Sequence, residues 1–262
     1  MDNFSESFSN PRVKKLSSFS RSVFGEEAAS YKGIAMKTLF FVAIFGAGMG
    51  AYFYIHSFFG GGIEALSIEN KIFLVSLIAT TAAGLIASFA PASTPVTGTI
   101  YSAGMGFSLT YLSMMYAQIY KGIIVEVITL TLLTVAVLAV LYSTGKVRVG
   151  SRMKTALIAC LWVSIIGGLL FMLLGWLAPN SSLYLSIVAI NNGPIGILLA
   201  AVGVFIAAAL LICDFETIQL TVEQGLPASY EWYASYGLIV GVIYLYLKIL
   251  RLVARIANNR NN

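Results

Sequence analysis

Charge is the scarcest property of this chain. Only 10% of its 262 residues are Asp, Glu, Lys or Arg, against 58% hydrophobic, where an ordinary soluble domain carries about 25% charged residues. A soluble globular protein is excluded, because so much apolar surface could not be hidden from water. Histidine occurs once, as His56, and cysteine twice, as Cys160 and Cys213. The cysteines lie far apart, inside apolar runs and without a C-x-x-C, so neither a zinc site nor a disulfide framework has support. His56 falls where the first apolar run ends and reads as an interfacial residue. There is no H-E-x-x-H, no G-x-S-x-G and no histidine–cysteine pairing. An intramembrane aspartyl protease would need aspartates on two spans, and only Asp214 qualifies, so the chain is not expected to be an enzyme. The glycine clusters lack the Lys-Ser or Lys-Thr of a phosphate loop. The net charge of +5 implies no nucleic-acid partner, because the basic residues cluster beside apolar runs.

Those runs are what the chain has in abundance. They recur at about 20 residues, the length a helix needs to cross the hydrocarbon of a bilayer, and the mean hydropathy is +0.87. The expected fold is an all-α polytopic membrane protein whose surroundings are lipid. Seven transmembrane helices are predicted at 34–58, 71–91, 97–119, 122–143, 153–177, 193–215 and 233–256. This divides the chain into a basic N-terminal tail (1–33), a transmembrane domain (34–257) and a polar C-terminal tail (258–262). "FFGGGIEALSIENK", "APASTPVT", "STGKVRVGSRMK" and "LAPNSSLY" punctuate the spans, and "NNGPIG" places Pro194 in the first turn of the sixth. The first apolar run begins only near Ile34, so no cleaved secretory signal is expected.

Counting Lys and Arg orients the spans. Arg12, Lys14, Lys15, Arg21 and Lys32 argue for a cytoplasmic N-terminus, and Lys146, Arg148, Arg152 and Lys154 fall on the same side. Seven full crossings would then leave Arg251, Arg255 and Arg260 outside. The last segment therefore either crosses despite its charges or returns as a partial span. Within the tail, "PRVKKLSSFSRSVF" spaces apolar residues like an amphipathic surface helix, although its serines suit a disordered basic tail as well. Small residues crowd the spans: Gly46, Gly48 and Gly50; Gly84; Gly104 and Gly106; Gly167 and Gly168. Lipid supplies no hydrophobic drive between helices, so close packing through such residues is how the spans would associate.

Four charges fall within the apolar runs. One at a bilayer centre costs about 2.5–3.5 kcal/mol on insertion scales. Lys37 and Glu126 lie one turn inside their spans and read as snorkelling or interfacial residues. Asp214 follows a long apolar run, and Glu216 is about 200° away from it around a helix, so only one of the two can face a given neighbour. Lys248 lies deep in the last segment, sharing a face with Tyr244 and Arg251, and Arg255 continues the stripe. Two readings stay open: Asp214 and Lys248 pair merely to hold two spans together, or they form a charge latch on a polar pathway.

In order along the chain, "NP" at 10–11, "YKGIAMKT" at 31–38, "TPVTGTIYS" at 94–102, "GPIGI" at 193–197, "CDFETI" at 213–218, "GLP" at 225–227, "EWYASYGL" at 231–238 and "YLYLKILRL" at 244–252 resemble the Bax inhibitor-1 (TMBIM-like) family, in its larger bacterial branch. The resemblance implies six membrane helices around a central seventh at the C-terminus, in a bacterial inner membrane. It also implies a pH-dependent calcium leak, gated by two carboxylates that share a proton. Asp214 matches the first of these. Lys248 stands where the branch commonly has the second, and Met105 where it often has a glutamate. The expectation is a pH-sensitive leak with Asp214 as gate or latch residue and Lys248 as its altered partner, with Glu216, Glu126, Arg251 and Tyr244 as accessory residues. Calcium enters as the transported ion, no cofactor is expected, and no metal ligand set is assigned. The rival expectation is a non-conducting protein that binds other membrane proteins, such as a quality-control protease. The oligomeric state is left open.

Overall fold

The structure, a computed structural model, describes residues 27–59, 63–147 and 149–261. Most of the basic N-terminal tail, including the stretch with surface-helix spacing, lies outside them. Helix α1 (Tyr31–Phe58) starts at Ser30, whose hydroxyl accepts the Gly33 N–H at 3.0 Å and so satisfies one of the first turn's open donors. It is followed by α2 (Ile63–Phe89), a 3-10 turn (Pro91–Ser93) and α3 (Thr94–Ile119), whose first turn holds Pro95. Then come α4 (Ile123–Ser143), α5 (Ser151–Leu177), a short α6 (Ser182–Asn192), α7 (Pro194–Glu223) and α8 (Tyr230–Asn261).

All seven predicted spans are present as long helices, and no strand occurs among the described residues. The fold is an all-α polytopic membrane protein. Six of the long helices are apolar enough, by length and composition, to cross a bilayer. The seventh, α3, is rich in hydroxyls because its neighbours shield it: Thr97, Ser102, Ser108, Thr110 and Ser113 are buried. Thr97, Thr110 and Ser113 each return their proton to a carbonyl one turn earlier, which is how a polar side chain is tolerated away from water.

Helix α8 is the centre. Half of its most apolar stretch is buried, against 6–28% for the other five spans, and α7, α1, α4 and α3 pack on it. Helix α2 packs on α3 and α1, while α5 leans mainly on α7 and α6, so these two stand outside the inner group. Helices α7 and α8 are antiparallel with a steady register. Arg255 reaches Gly196, Lys248 lies on Gly203, and the Asp214 carboxylate faces Gly241.

Two segments gain detail from the structure. The segment after the fifth span is not a plain loop, because it contains α6, eleven residues capped by the Ser181 hydroxyl accepting from the Tyr184 N–H at 3.2 Å. The last segment, for which a full crossing and a returning partial span both stayed open, is unbroken. At 32 residues it is one helix of about 48 Å, and it absorbs most of the stretch read as a polar tail.

Candidate functional site at the seam of α7 and α8

The seam is shaped by small residues on both helices. Gly237 and Gly241 stand one turn apart on α8, and a Cβ on Gly241 would run into the Asp214 carboxylate. Asp214 therefore rests on a patch of bare backbone, beside the buried Leu211. On α7, Gly203 leaves room for the stem of Lys248, whose Cδ would lie 3.3 Å from a Cβ there. The Lys248 ammonium sits 4.8 Å from the centre of the Tyr244 ring, a cation–π arrangement. The Tyr244 hydroxyl is buried with no hydrogen-bond partner among the described residues.

Asp214 and Lys248 do not meet. From Gly203 to Asp214 is eleven residues of α7, about 16 Å of helix. The ion pairs among the described residues are Lys37–Glu231, His56–Glu69 and Lys154–Glu216. A direct Asp214–Lys248 latch is thus not what this fold builds. The physical reason is register: Lys248 lies seven residues past Gly241 and faces a different turn of α7.

Glu216 turns away from α8, as its separation from Asp214 around the helix requires, and its Oε1 lies 2.6 Å from the Lys154 ammonium on α5. Its Oε2 is buried without a partner. Arg255 closes the far end of the seam, donating to the carbonyl of Gly196 and, at 2.9 Å, to the Asn191 side chain. It clips the α6–α7 break onto α8. Arg251 is exposed. Glu126 is also exposed, in the first turn of α4, where a negative charge suits the helix dipole.

Sequence reasoning missed two ionic nodes. Lys37 does not simply snorkel. Its ammonium lies 2.8 Å from Glu231 Oε2, donates to the Ala228 carbonyl at 2.8 Å, and stands 5.1 Å from the centre of the Trp232 ring. The other oxygen of Glu231 accepts the Ser30 N–H at 2.7 Å and the Ser30 hydroxyl at 3.2 Å. Residues 27–29 run beside 226–228, with Ala29 N–H on Leu226 O at 2.7 Å and Ala228 N–H on Glu27 O at 2.9 Å. At the opposite face His56 Nδ1 lies 2.8 Å from Oε1 of Glu69, which is 1% exposed, and Tyr52 stacks on the imidazole. Both members of the first node lie in quoted segments, "YKGIAMK" and "EWY", but no local pattern pairs them.

The model of the family described as Bax inhibitor 1 like matches residues 5–258, nearly the whole chain. The chain belongs to that family. No curated protein and no solved structure matches it. The Asp214 carboxylate lies against two glycines of α8, Gly237 and Gly241. Among the described residues no group of three or more His, Cys, Asp and Glu side chains is placed to hold a metal ion.

Proposed function

We propose that this Bax inhibitor 1 like membrane protein is a cation leak whose pathway follows the seam of α7 and α8, with Asp214 as its gate residue. One observation carries this reading: a carboxylate inside a span, over bare glycine backbone, with no cation to neutralise it among the described residues. Embedded ionisable residues mark ion pathways more often than they serve packing. The seam continues through the Tyr244 hydroxyl, the Lys248 ammonium and Arg255, so polar groups recur along it from one face towards the other. Lys248 acts as a positive constriction beyond the gate, which limits the leak instead of sharing a proton with Asp214. The basic residues of the tail and of the α4–α5 connection favour a cytoplasmic N-terminus, and the resemblance to the bacterial branch implies a bacterial inner membrane.

The ionised carboxylate is the group that attracts a cation, so flux is expected to fall as pH falls. The test is calcium entry into liposomes holding the purified protein, from pH 6 to pH 8. Asp214→Asn should lower flux several-fold and flatten its pH profile, and Lys248→Met should raise it. A profile that Asp214→Asn leaves unchanged removes Asp214 from gating.

A second reading is favoured by one feature of α5. Ala156, Cys160, Ser164 and Gly168, spaced four residues apart, are exposed, and a Cβ on Gly168 would meet nothing within 4 Å. Such a face suits a helix of another membrane protein, such as a quality-control protease. Absence of flux in every variant, with stoichiometric recovery of one partner from gently solubilised membranes, would establish this reading over the first.

A further inference from the structure

Helices α1 and α4 each pack against α3 and α8, and a groove of about 380 Å³ runs between them, floored by α3 and α8. Its walls are open to the surroundings, since Val42 and Phe53 on α1 and Ile128 and Leu132 on α4 line it and are exposed. The chemistry of the lining restricts the occupant. Thr110, Ser113 and Thr131 line the groove, yet each hydroxyl donates to a carbonyl of its own helix, at 2.8, 2.6 and 2.7 Å. Ser113 has then spent its single proton, so the Tyr246 hydroxyl, 2.8 Å away, donates to it. Among the described lining residues no side-chain donor is left over for a polar ligand, which would lose its own hydrogen bonds on entering. A hydrocarbon chain loses none.

A basic residue flanks one end of the groove along the chain. Ile124 lines it in the first turn of α4, and three residues earlier Lys121 is exposed in the turn between α3 and α4. No acid pairs with Lys121 among the described residues. Glu126, the nearest acid in sequence, is about 200° around α4 from both Ile124 and Ile128 and so points away from the groove. We infer that the groove is a binding site for one anionic phospholipid of the leaflet facing away from the N-terminus, with an acyl chain between α1 and α4 and its phosphate on Lys121. This site is separate from the seam of α7 and α8 and does not depend on conduction.

The test is native mass spectrometry of the full-length protein in detergent, titrated with phosphatidylglycerol or with phosphatidylcholine of the same chains. One lipid should be retained per chain, with phosphatidylglycerol preferred about fivefold, the worth of a single basic residue at a headgroup. Filling the groove by Ile128→Trp, or by Leu132→Trp on its more open rim, should cut retention at least fivefold. Ile166→Trp, exposed on α5, should leave it unchanged. Lys121→Gln should abolish the headgroup preference while phosphatidylcholine is still retained. Retention that neither groove variant lowers, or that Ile166→Trp lowers equally, overturns the site. Equal retention of the two lipids by the unaltered protein overturns the role of Lys121.

Discussion

At the scale of single residues, the best-satisfied charge in the described structure is Glu231. Its two oxygens accept from the Lys37 ammonium, the Ser30 N–H and the Ser30 hydroxyl, and a Cβ on Gly33 would collide with it. Its side chain is 7% exposed and that of Lys37 19%. Removing one partner of such a part-buried pair strands the other and costs stability. Lys37→Met and Glu231→Gln should therefore each lower the unfolding midpoint in a detergent titration, and the double variant should lose much less than the sum of the two. Strict additivity would mean that the two side chains act independently. That Asp214 is an embedded acid was legible in the sequence, because an apolar run ending in a carboxylate is visible by eye. That it faces glycines was not. Helical periodicity says which residues share a face, but the register of a neighbouring helix is set by packing that no local pattern encodes. The same limit hid the Lys37–Glu231 pair, whose members are 194 positions apart.

At the scale of elements, the glycines separate into those that set a crossing and those that do not. Gly48 on α1 and Gly106 on α3 form one crossing point: a Cβ on Gly48 would strike the Ala103 carbonyl, and one on Gly106 the Phe45 carbonyl, with the Gly48 Cα at 3.2 Å. Both obstacles are backbone and cannot rotate aside. Gly46 and Gly50, in the same "FGAGMGA", meet nothing within 4 Å. Gly106→Ala should destabilise the protein by about 1–3 kcal/mol through overpacking, whereas Gly46→Ala should be neutral or slightly stabilising, because alanine is the better helix former. Equal melting temperatures for the two variants would show that the backbones do not cross there. The length of the apolar runs made the long helices legible. Helix α6 was not, because eleven residues are too few to signal a span and its "NNGPIG" end reads as the start of the next helix. Asn191 and Gly196 gain their purpose only from Arg255, which reaches them from the far end of the chain.

At the scale of the whole molecule, the antiparallel register of α7 and α8 decides where the ends lie. The Lys37–Glu231 node fixes the start of α1 beside the start of α8, and α8 then runs unbroken to the opposite end of the bundle. The charge rule objected to this arrangement because it strands arginines on the face opposite the basic tail. The objection weakens once Arg255 is seen to be bonded to Gly196 and Asn191 within the fold, so that it is not competing to stay on the basic side. With Cys160 and Cys213 replaced by alanine, single cysteines at Lys32 and at Asn259, both exposed positions, should react with an impermeant thiol reagent from opposite sides of sealed vesicles. Labelling of both from one side would require α8 to turn back within the membrane. That would break its contacts with α7, and with them the seam on which Asp214 rests.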